Sequence, residues 1–216
     1  VTPRGMWPAE GGVSHAALSL LAEHGVEWAA TGQAVLFNSL AKSHLSNFNK
    51  DDYLYQPYRI TDGKNDILCF FRDDQLSDKV GFEYAKIHSR DAVSDFMKTL
   101  EDIQRNNTSD HSRIVSVILD GENAWEYFPY NGYYFLNELY AALTNHPDIQ
   151  MTTFSDIVDM YQHGNMQDQG LSAPVLPQVA AGSWVYGTFS TWVGSKDKNL
   201  AWDLLCAAKK TYDSVI

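Results

Sequence analysis

Carboxylates follow short apolar segments at three places in this sequence, and acids in such positions can do acid–base or nucleophilic chemistry. Glu10 follows the stretch 5–8, Asp74 comes after the apolar run 67–71, and Asp120 comes after the run 114–119. If these runs are parallel strands, their carboxyl ends meet at the edge of the sheet where α/β active sites lie. A single acid after a strand is as easily explained as the N-cap of the next helix. Three acids that converge favour a catalytic site.

Two carboxylates that face each other in unequal environments are the groups required to cleave a glycosidic bond. One stays ionised and attacks or stabilises the anomeric carbon, while the other stays protonated and donates to the leaving oxygen. An indole wall raises the pKa of a neighbouring acid, whereas a guanidinium or backbone N–H groups favour its ionised form. Asp120 lies near Trp125 in the sequence, and Glu10 adjoins two glycines. These neighbours leave open which of the two is the acid.

The sequence offers little for metal-dependent or serine-based chemistry. Its seven histidines include no pair at HxxxH or HExxH spacing. It contains no GxSxG motif, and its glycines form neither a phosphate-binding loop nor a dinucleotide-binding fingerprint. Cys69 and Cys206 follow no metal or redox spacing, and Cys69, within an apolar run, is expected to be a buried thiol. We therefore expect no metal and no cofactor.

The overall composition favours a neutral ligand. The chain has 216 residues, of which 44% are hydrophobic and 13% aromatic, and its formal net charge is -11. This length suits one globular domain, and the charge argues against a nucleic-acid or anionic-membrane partner. Six Trp and twelve Tyr suit a sugar, whose apolar C–H faces stack on aromatic rings. There is no apolar segment of membrane-spanning length and no signal peptide. The absence of a signal peptide says little about location in a chain that starts with Val, and the expected location is the cytoplasm.

Apolar periodicity predicts strands that alternate with helices, which indicates an α/β fold with a parallel sheet or barrel. The predicted strands are a first one that ends at Trp7, then Val26–Thr31, Ile67–Phe71, Ile114–Leu119 and Ile149–Thr153. The predicted helices are Val13–His24, Gln33–Asn47, Ser89–Arg105, Tyr133–Asn145, one capped by Ser155, and Asp197–Tyr212.

Four ordered sequence blocks resemble those of glycoside hydrolase family 57, the amylopullulanase-like α-glucan hydrolases. The first, PRGMWPAEGGVS at 3–14, is similar to the family's RGMWPSEGSVS segment, with Ala9 where a serine is common. The others are FRDDQLSD at 71–78, LDGENAWE at 119–126, and GSW at 182–184, which continues to FSTWVG at 189–194 and KNLAW at 198–202. The resemblance implies a (β/α)7 barrel, a retaining mechanism, Glu10 as the nucleophile and Asp120 as the general acid/base.

The same resemblance implies further site residues around these two acids. Four tryptophans in or beside the blocks are candidates to line sugar subsites: Trp7, Trp125, Trp184 and Trp192. Four charged residues are candidates to hold hydroxyls or to position the catalytic acids: Arg72, Asp74, Asp78 and Glu122. A strand-end salt bridge between Arg72 and a neighbouring acid is an equal alternative. Trp28 and Trp202, on a predicted inner strand and a predicted helix, are expected in the core.

Two earlier motifs of the family are absent from the sequence. They are a histidine-containing HQP segment and a block with a glutamate and a TSPYYHP run, and residue 1 lies where the third motif begins. We therefore expect residues 1–216 to be a single catalytic domain or the C-terminal portion of one, with the parallel (β/α)-barrel incomplete at its N-terminal side. Such a chain is either an excerpt of a longer enzyme or a short homologue.

The expected activity is retaining hydrolysis of α-1,4-glucosidic bonds in starch, glycogen or pullulan-type glucans, with α-1,6 bonds left open. Two alternatives remain. One is a 4-α-glucanotransferase with the same residues, in which a sugar hydroxyl resolves the intermediate, and the other is a non-catalytic glucan-binding fragment. The expected partner is an α-glucan polysaccharide or oligosaccharide.

Overall fold

The computed structural model describes residues 2–43, 49–107, 111–122 and 124–215. Asn47, the expected end of the second helix, and Asn123 of the third block lie outside these ranges. Within them the chain forms four β-strands and eight α-helices, which confirms the expected α/β class. The strands of this part of the chain form one open sheet and not a closed barrel.

The sheet has the strand order β1-β2-β4-β3 and is parallel except at one edge. Its strands are Gly5–Met6 (β1), Trp28–Gly32 (β2), Tyr58–Thr61 (β3) and Asp66–Arg72 (β4). β1, β2 and β4 run parallel, whereas β3, which no sequence pattern predicted, pairs antiparallel with β4. β4 is buried from Ile67 onwards, as its continuous apolar run predicts. Gly32 pairs with Arg72, so β2 and β4 end side by side.

The helices are His15–Glu23 (α1), Gln33–Lys42 (α2), Lys50–Tyr53 (α3), Asp74–Asp78 (α4), Ser89–Arg105 (α5), Tyr133–Asn145 (α6), Phe154–Gln162 (α7) and Lys196–Asp213 (α8). α1, α2 and α7 pack on this sheet, α5 and α6 pack on each other, and several helices begin after a side-chain cap. α5 and α6 have the predicted bounds. Ser14 caps α1 by accepting from the Ala17 N–H. α7 is capped by Thr153 and not by the predicted Ser155, because Thr153 and Asp156 form a reciprocal capping box.

The segment 114–119, predicted as a buried strand, is not a strand in the structure. A single parallel β-bridge between Ser116 and Arg72 joins it to β4. The Ile118 N–H donates to the Ser77 hydroxyl and not to a neighbouring strand. A β-branched apolar run indicates burial, but a strand also needs a neighbour for its main-chain groups. The segment 149–153, also predicted as a strand, has no regular structure.

Apolar side chains pack in three clusters around the sheet. The largest includes Leu36 of α2 and covers one face of the sheet. The second joins α5 and α6 through Phe96 and Phe135. The third places Ile157 of α7 against Phe70 of β4. The first and third clusters therefore cover opposite faces of β2 and β4.

α8 lies outside these clusters, and one prediction about this helix was wrong. Trp202, expected in the core, is 45% exposed, and its indole N–H donates to the Trp192 carbonyl. Helical periodicity shows which side of a helix can be buried, but the structure describes no element that covers this one. Trp28 packs against Phe70 and Phe154, as expected. None of the helices described is both long and apolar enough to cross a membrane.

Candidate active site

Glu10 is presented on a tight turn beyond the carboxyl end of β1. Residues Ala9–Gly11 form one 3₁₀ turn in which Glu10 has a φ of 56°, in the left-handed region that non-glycine residues rarely adopt. Gly11 also has a positive φ, and a β-carbon on it would lie 2.8 Å from the Trp7 ring. The Gly11 carbonyl accepts a 2.5 Å hydrogen bond from the buried Thr31 hydroxyl, which fastens the turn to β2. Strain of this kind clusters at functional sites.

Trp184 contacts Glu10 through both its side chain and its backbone. The indole Nε1–H donates to Glu10 Oε2 over 3.0 Å, and the main-chain N–H donates to the Glu10 carbonyl over 3.2 Å. The Trp184 ring packs edge-to-face on Trp7, with 5.1 Å between the ring centres. A β-carbon on Gly32 would lie 2.7 Å from Trp184 Cα, so the glycine at the end of β2 permits this close approach.

Arg72, the last residue of β4, is buried and paired with two acids. Its Nη1 lies 2.9 Å from Asp74 Oδ1, and its Nη2 lies 2.6 Å from Asp78 Oδ1. The guanidinium carbon is 5.2 Å from the centre of the Trp184 ring, within cation–π range. Burial raises the pKa of the Asp74 carboxyl, and Arg72 opposes that rise. The strand-end salt bridge considered as an alternative is therefore present, and it borders the same cavity as Trp184.

Asp120 reaches this edge because the segment before it is fixed to the end of β4. The Arg72 Nε–H donates to the Ile118 carbonyl over 2.8 Å, and the Ile118 N–H donates to Ser77 Oγ over 3.1 Å. Both bonds lie within two residues of Asp120. The buried arginine therefore contacts the acids of α4 and the backbone that carries Asp120.

A cavity of about 250 Å³ opens between these groups. Its lining includes Arg72, Asp74, Asp78, Phe82, Asp120 and Trp184. Glu10 adjoins the cavity through its hydrogen bond to Trp184, and Trp7 adjoins it through ring packing. The structure therefore brings most of the predicted site residues into one contiguous cluster.

Three predicted subsite residues lie apart from this cavity. Trp125 packs against the rings of Phe128 and Phe135 and lines a separate groove, whose walls include residues of α5 and α6 and the segment 148–154. Glu122 is exposed two residues beyond Asp120, and Trp192 lies in the turns before α8. Across the described ranges, no three His, Cys, Asp or Glu side chains come together as a metal ion would require.

Sequence reasoning missed two neighbours of the site. Asp73 is buried and accepts hydrogen bonds from the Leu76 N–H and, over 2.7 Å, from Tyr55 Oη. It is the N-cap of α4, so the helix-cap explanation holds for this acid, and its position just before a helix was the available signal. Burial and Asp73 raise the pKa of the Tyr55 hydroxyl. Phe82 lines the cavity although no family block contains it.

Comparisons with known proteins found similarity at the level of the sequence family and of the fold. The sequence model described as Glycosyl hydrolase family 57 matches residues 1–173. No curated protein matches the chain. Among solved structures, the 4-alpha-glucanotransferase from Thermococcus litoralis is similar, with a TM-score of 0.59 and 19% sequence identity. The match covers 96% of this chain but only 29% of that chain, and at this identity it supports the fold alone. Because the family model covers most of the sequence, the chain belongs to glycosyl hydrolase family 57.

Proposed function

We propose that this chain carries the catalytic carboxylates of a retaining enzyme that cleaves α-1,4-glucosidic bonds in starch, glycogen or pullulan-type glucans. Glu10 is the nucleophile and Asp120 the general acid/base. The observation that supports this most directly is Trp184, whose indole N–H binds Glu10 while its ring lines the cavity that contains Asp120. The open sheet is then part of a (β/α)7 barrel, and α-1,6 bonds are a second class of substrate to test.

The proposed chemistry has two steps. Glu10 attacks the anomeric carbon, the glycosidic bond breaks, and Asp120 gives its proton to the leaving oxygen. Asp120 then takes a proton from the incoming hydroxyl, whose oxygen attacks the anomeric carbon and releases Glu10. The Trp184 N–H fixes one oxygen of Glu10, which keeps the other available to the anomeric carbon.

The remaining site residues receive binding roles in this proposal. Trp7 and Trp184 form an aromatic wall beside Glu10. Asp74 and Asp78 accept hydrogen bonds from sugar hydroxyls, while the Arg72 guanidinium compensates the negative charge of the two carboxylates. Three residues outside the cavity are proposed for more distant sugars: Glu122, Trp125 and Trp192.

A 4-α-glucanotransferase with the same residues is the second candidate. The similar solved structure from Thermococcus litoralis is a 4-alpha-glucanotransferase, and its likeness to this chain in fold makes the same activity a candidate here. The two activities share the first step and differ in whether water or a sugar hydroxyl attacks the intermediate. A non-catalytic glucan-binding role is the third candidate.

The test compares the purified chain with its Glu10→Gln and Asp120→Asn variants on soluble starch, pullulan and maltooligosaccharides. We expect turnover to fall by about 10³-fold or more in each variant, as when a catalytic nucleophile or acid is removed. Proton NMR of the first products gives the anomeric configuration, and retention is expected. Asp203→Asn, on the exposed α8, is the matched control.

Equal rates for the parent and both variants would reject the catalytic assignment, and glucan binding without turnover would favour the third candidate. In a structure with bound substrate, we expect the two carboxyl groups to be about 5–5.5 Å apart, and a separation of about 8 Å or more would contradict retention.

A further inference from the structure

We propose that Phe82 forms the platform for the sugar on the leaving-group side of the bond, and that it thereby favours a sugar acceptor over water. This inference rests on the proposed function and adds a specificity residue to it. Phe82 belongs to none of the family blocks and was not predicted from the sequence. Its place in the cavity suggests the role.

Phe82 is an exposed aromatic side chain beside a candidate catalytic acid. It is 64% exposed although large apolar side chains are usually buried, and it lines the same cavity as Asp120. A β-carbon on its neighbour Gly81 would lie 3.9 Å from Leu119, the neighbour of Asp120, so the two chain segments are adjacent. An aromatic wall with a few convergent polar groups is the usual composition of a small-molecule site.

The backbone that presents Phe82 is held at both ends. Residues Lys79–Glu83 form one turn of π-helix, a local feature that often occurs at functional sites. Asp95 Oδ2, on α5, lies 2.8 Å from Lys79 Nζ and accepts a 2.8 Å hydrogen bond from Tyr84 Oη. These two residues flank Phe82, and Tyr84 is buried. The ring is therefore exposed on a fixed turn, which lowers the entropic cost of binding a ligand on it.

The position of Phe82 places it on the side of the leaving group. The general acid protonates the oxygen between two sugars, so the sugar beyond that oxygen lies on the acid's side of the site. Phe82 and Asp120 share the cavity lining, whereas Glu10 is joined to it through Trp184. The apolar C–H face of the leaving sugar can then stack on the Phe82 ring.

The same surface receives the acceptor in the second step. By microscopic reversibility, an incoming sugar occupies the place that the leaving sugar has vacated. Its hydroxyl oxygen bonds to the anomeric carbon, its proton passes to Asp120, and the bond to Glu10 breaks. A ring that holds this sugar raises the share of intermediates that transfer to sugar and not to water.

The experiment measures transfer against hydrolysis with α-maltosyl fluoride as donor, because fluoride is too small to stack on Phe82. Glucose is added as acceptor below saturation, and chromatography separates the transfer product, maltotriose, from the hydrolysis product, maltose. The variants are Phe82→Ala and Phe82→Trp, with Tyr133→Ala as the control, since Tyr133 is 62% exposed and lies outside the cavity lining. The ratio of the two products does not depend on the fraction of active protein.

We expect Phe82→Ala to lower the transfer-to-hydrolysis ratio about tenfold, in line with the loss of one aromatic contact. Phe82→Trp retains the parent ratio, and so does Tyr133→Ala. If Phe82→Ala gives the same transfer-to-hydrolysis ratio as the parent, the inference is overturned and the proposed function remains intact.

If the parent releases no fluoride, the proposed function fails, and isothermal titration with maltotriose decides the role of Phe82. Affinity weakened about tenfold in Phe82→Ala supports a sugar platform. Equal affinity, or no binding by the parent, overturns it.

Discussion

Trp184 connects the two sides of the candidate site at the scale of single residues. It donates to Glu10, packs on Trp7, and lies over the guanidinium of Arg72, which in turn holds the backbone before Asp120. A hydrogen bond to a charged group is stronger than one between neutral groups. We therefore expect the N–H of Trp184 to contribute more to the position of Glu10 than the aromatic ring does.

Trp184→Phe tests this contact, because phenylalanine keeps an aromatic ring and removes the N–H donor. We expect kcat/KM for α-maltosyl fluoride to fall about ten- to hundredfold, since hydrogen bonds to charged groups contribute about 1.5–3 kcal/mol. The matched control is Trp202→Phe, which also loses an indole donor but on the exposed α8. A Trp184→Phe enzyme as active as this control would contradict the role.

Sequence reasoning identified the charged and indole residues of the cavity because they fall within the family blocks. It missed Phe82, whose exposure follows from a π-helical turn that no sequence pattern indicates. It assigned Trp125 to the subsites because Trp125 falls within the third block, and in the structure this ring packs against Phe128 and Phe135 and lines a separate groove. A sequence block shows which residues lie near the site, but not which side of a turn a ring occupies.

At the scale of elements, the candidate site lies where the carboxyl ends of β2 and β4 meet the start of α4. Gly32 and Arg72 are paired at those ends, and Asp73 caps the helix that carries Asp74 and Asp78. α5 and α6 were predicted with their observed bounds because their apolar periodicity is unbroken. The segment 114–119 was predicted wrongly, because composition does not reveal which strands are present beside it.

Asp95 joins α5 to Lys79 and Tyr84, and the pH dependence of this contact can be measured. Hydrogen bonds from Lys79 and Tyr84 hold the pKa of Asp95 below its usual range. The folded chain therefore binds this proton less readily than the unfolded chain, so the contact stabilises above pH of about 3.9 and is lost as the pH falls through the lower folded value.

Asp95→Asn should lower the free energy of unfolding by about 0.2–1 kcal/mol at pH 7, because solvent screens this half-exposed pair. The difference from the parent should shrink below pH of about 4, measured by urea denaturation at each pH. Asp203→Asn, on the exposed α8, serves as the control. A difference that stays constant with pH would show that the loss is not electrostatic.

At the scale of the whole molecule, one cysteine lies in the buried sheet and the other on the exposed helix α8. Cys69 is fully buried in β4, and burial raises the pKa of its thiol to about 12. Cys206 is exposed on α8. The expectation of a buried Cys69 is thus confirmed, and the two thiols differ in both access and ionisation.

Thiol labelling at pH 8 should therefore modify one cysteine rapidly in the native chain and the second only on unfolding. The count of reacted thiols with and without denaturant, followed by absorbance, checks this. Cys206→Ser should abolish the fast phase. Rapid labelling of two thiols in the native parent would mean that the sheet opens far more often than its packing indicates.

The left-handed turn at Glu10 implies a trade between stability and activity at that position. A backbone with a φ of 56° suits glycine better than any residue with a β-carbon. Glu10→Gly should therefore resist unfolding better than Glu10→Ala by about 1 kcal/mol, although both lack the carboxylate. A chain selected for stability alone would carry glycine here, so a glutamate at this position supports the proposed role of its carboxylate.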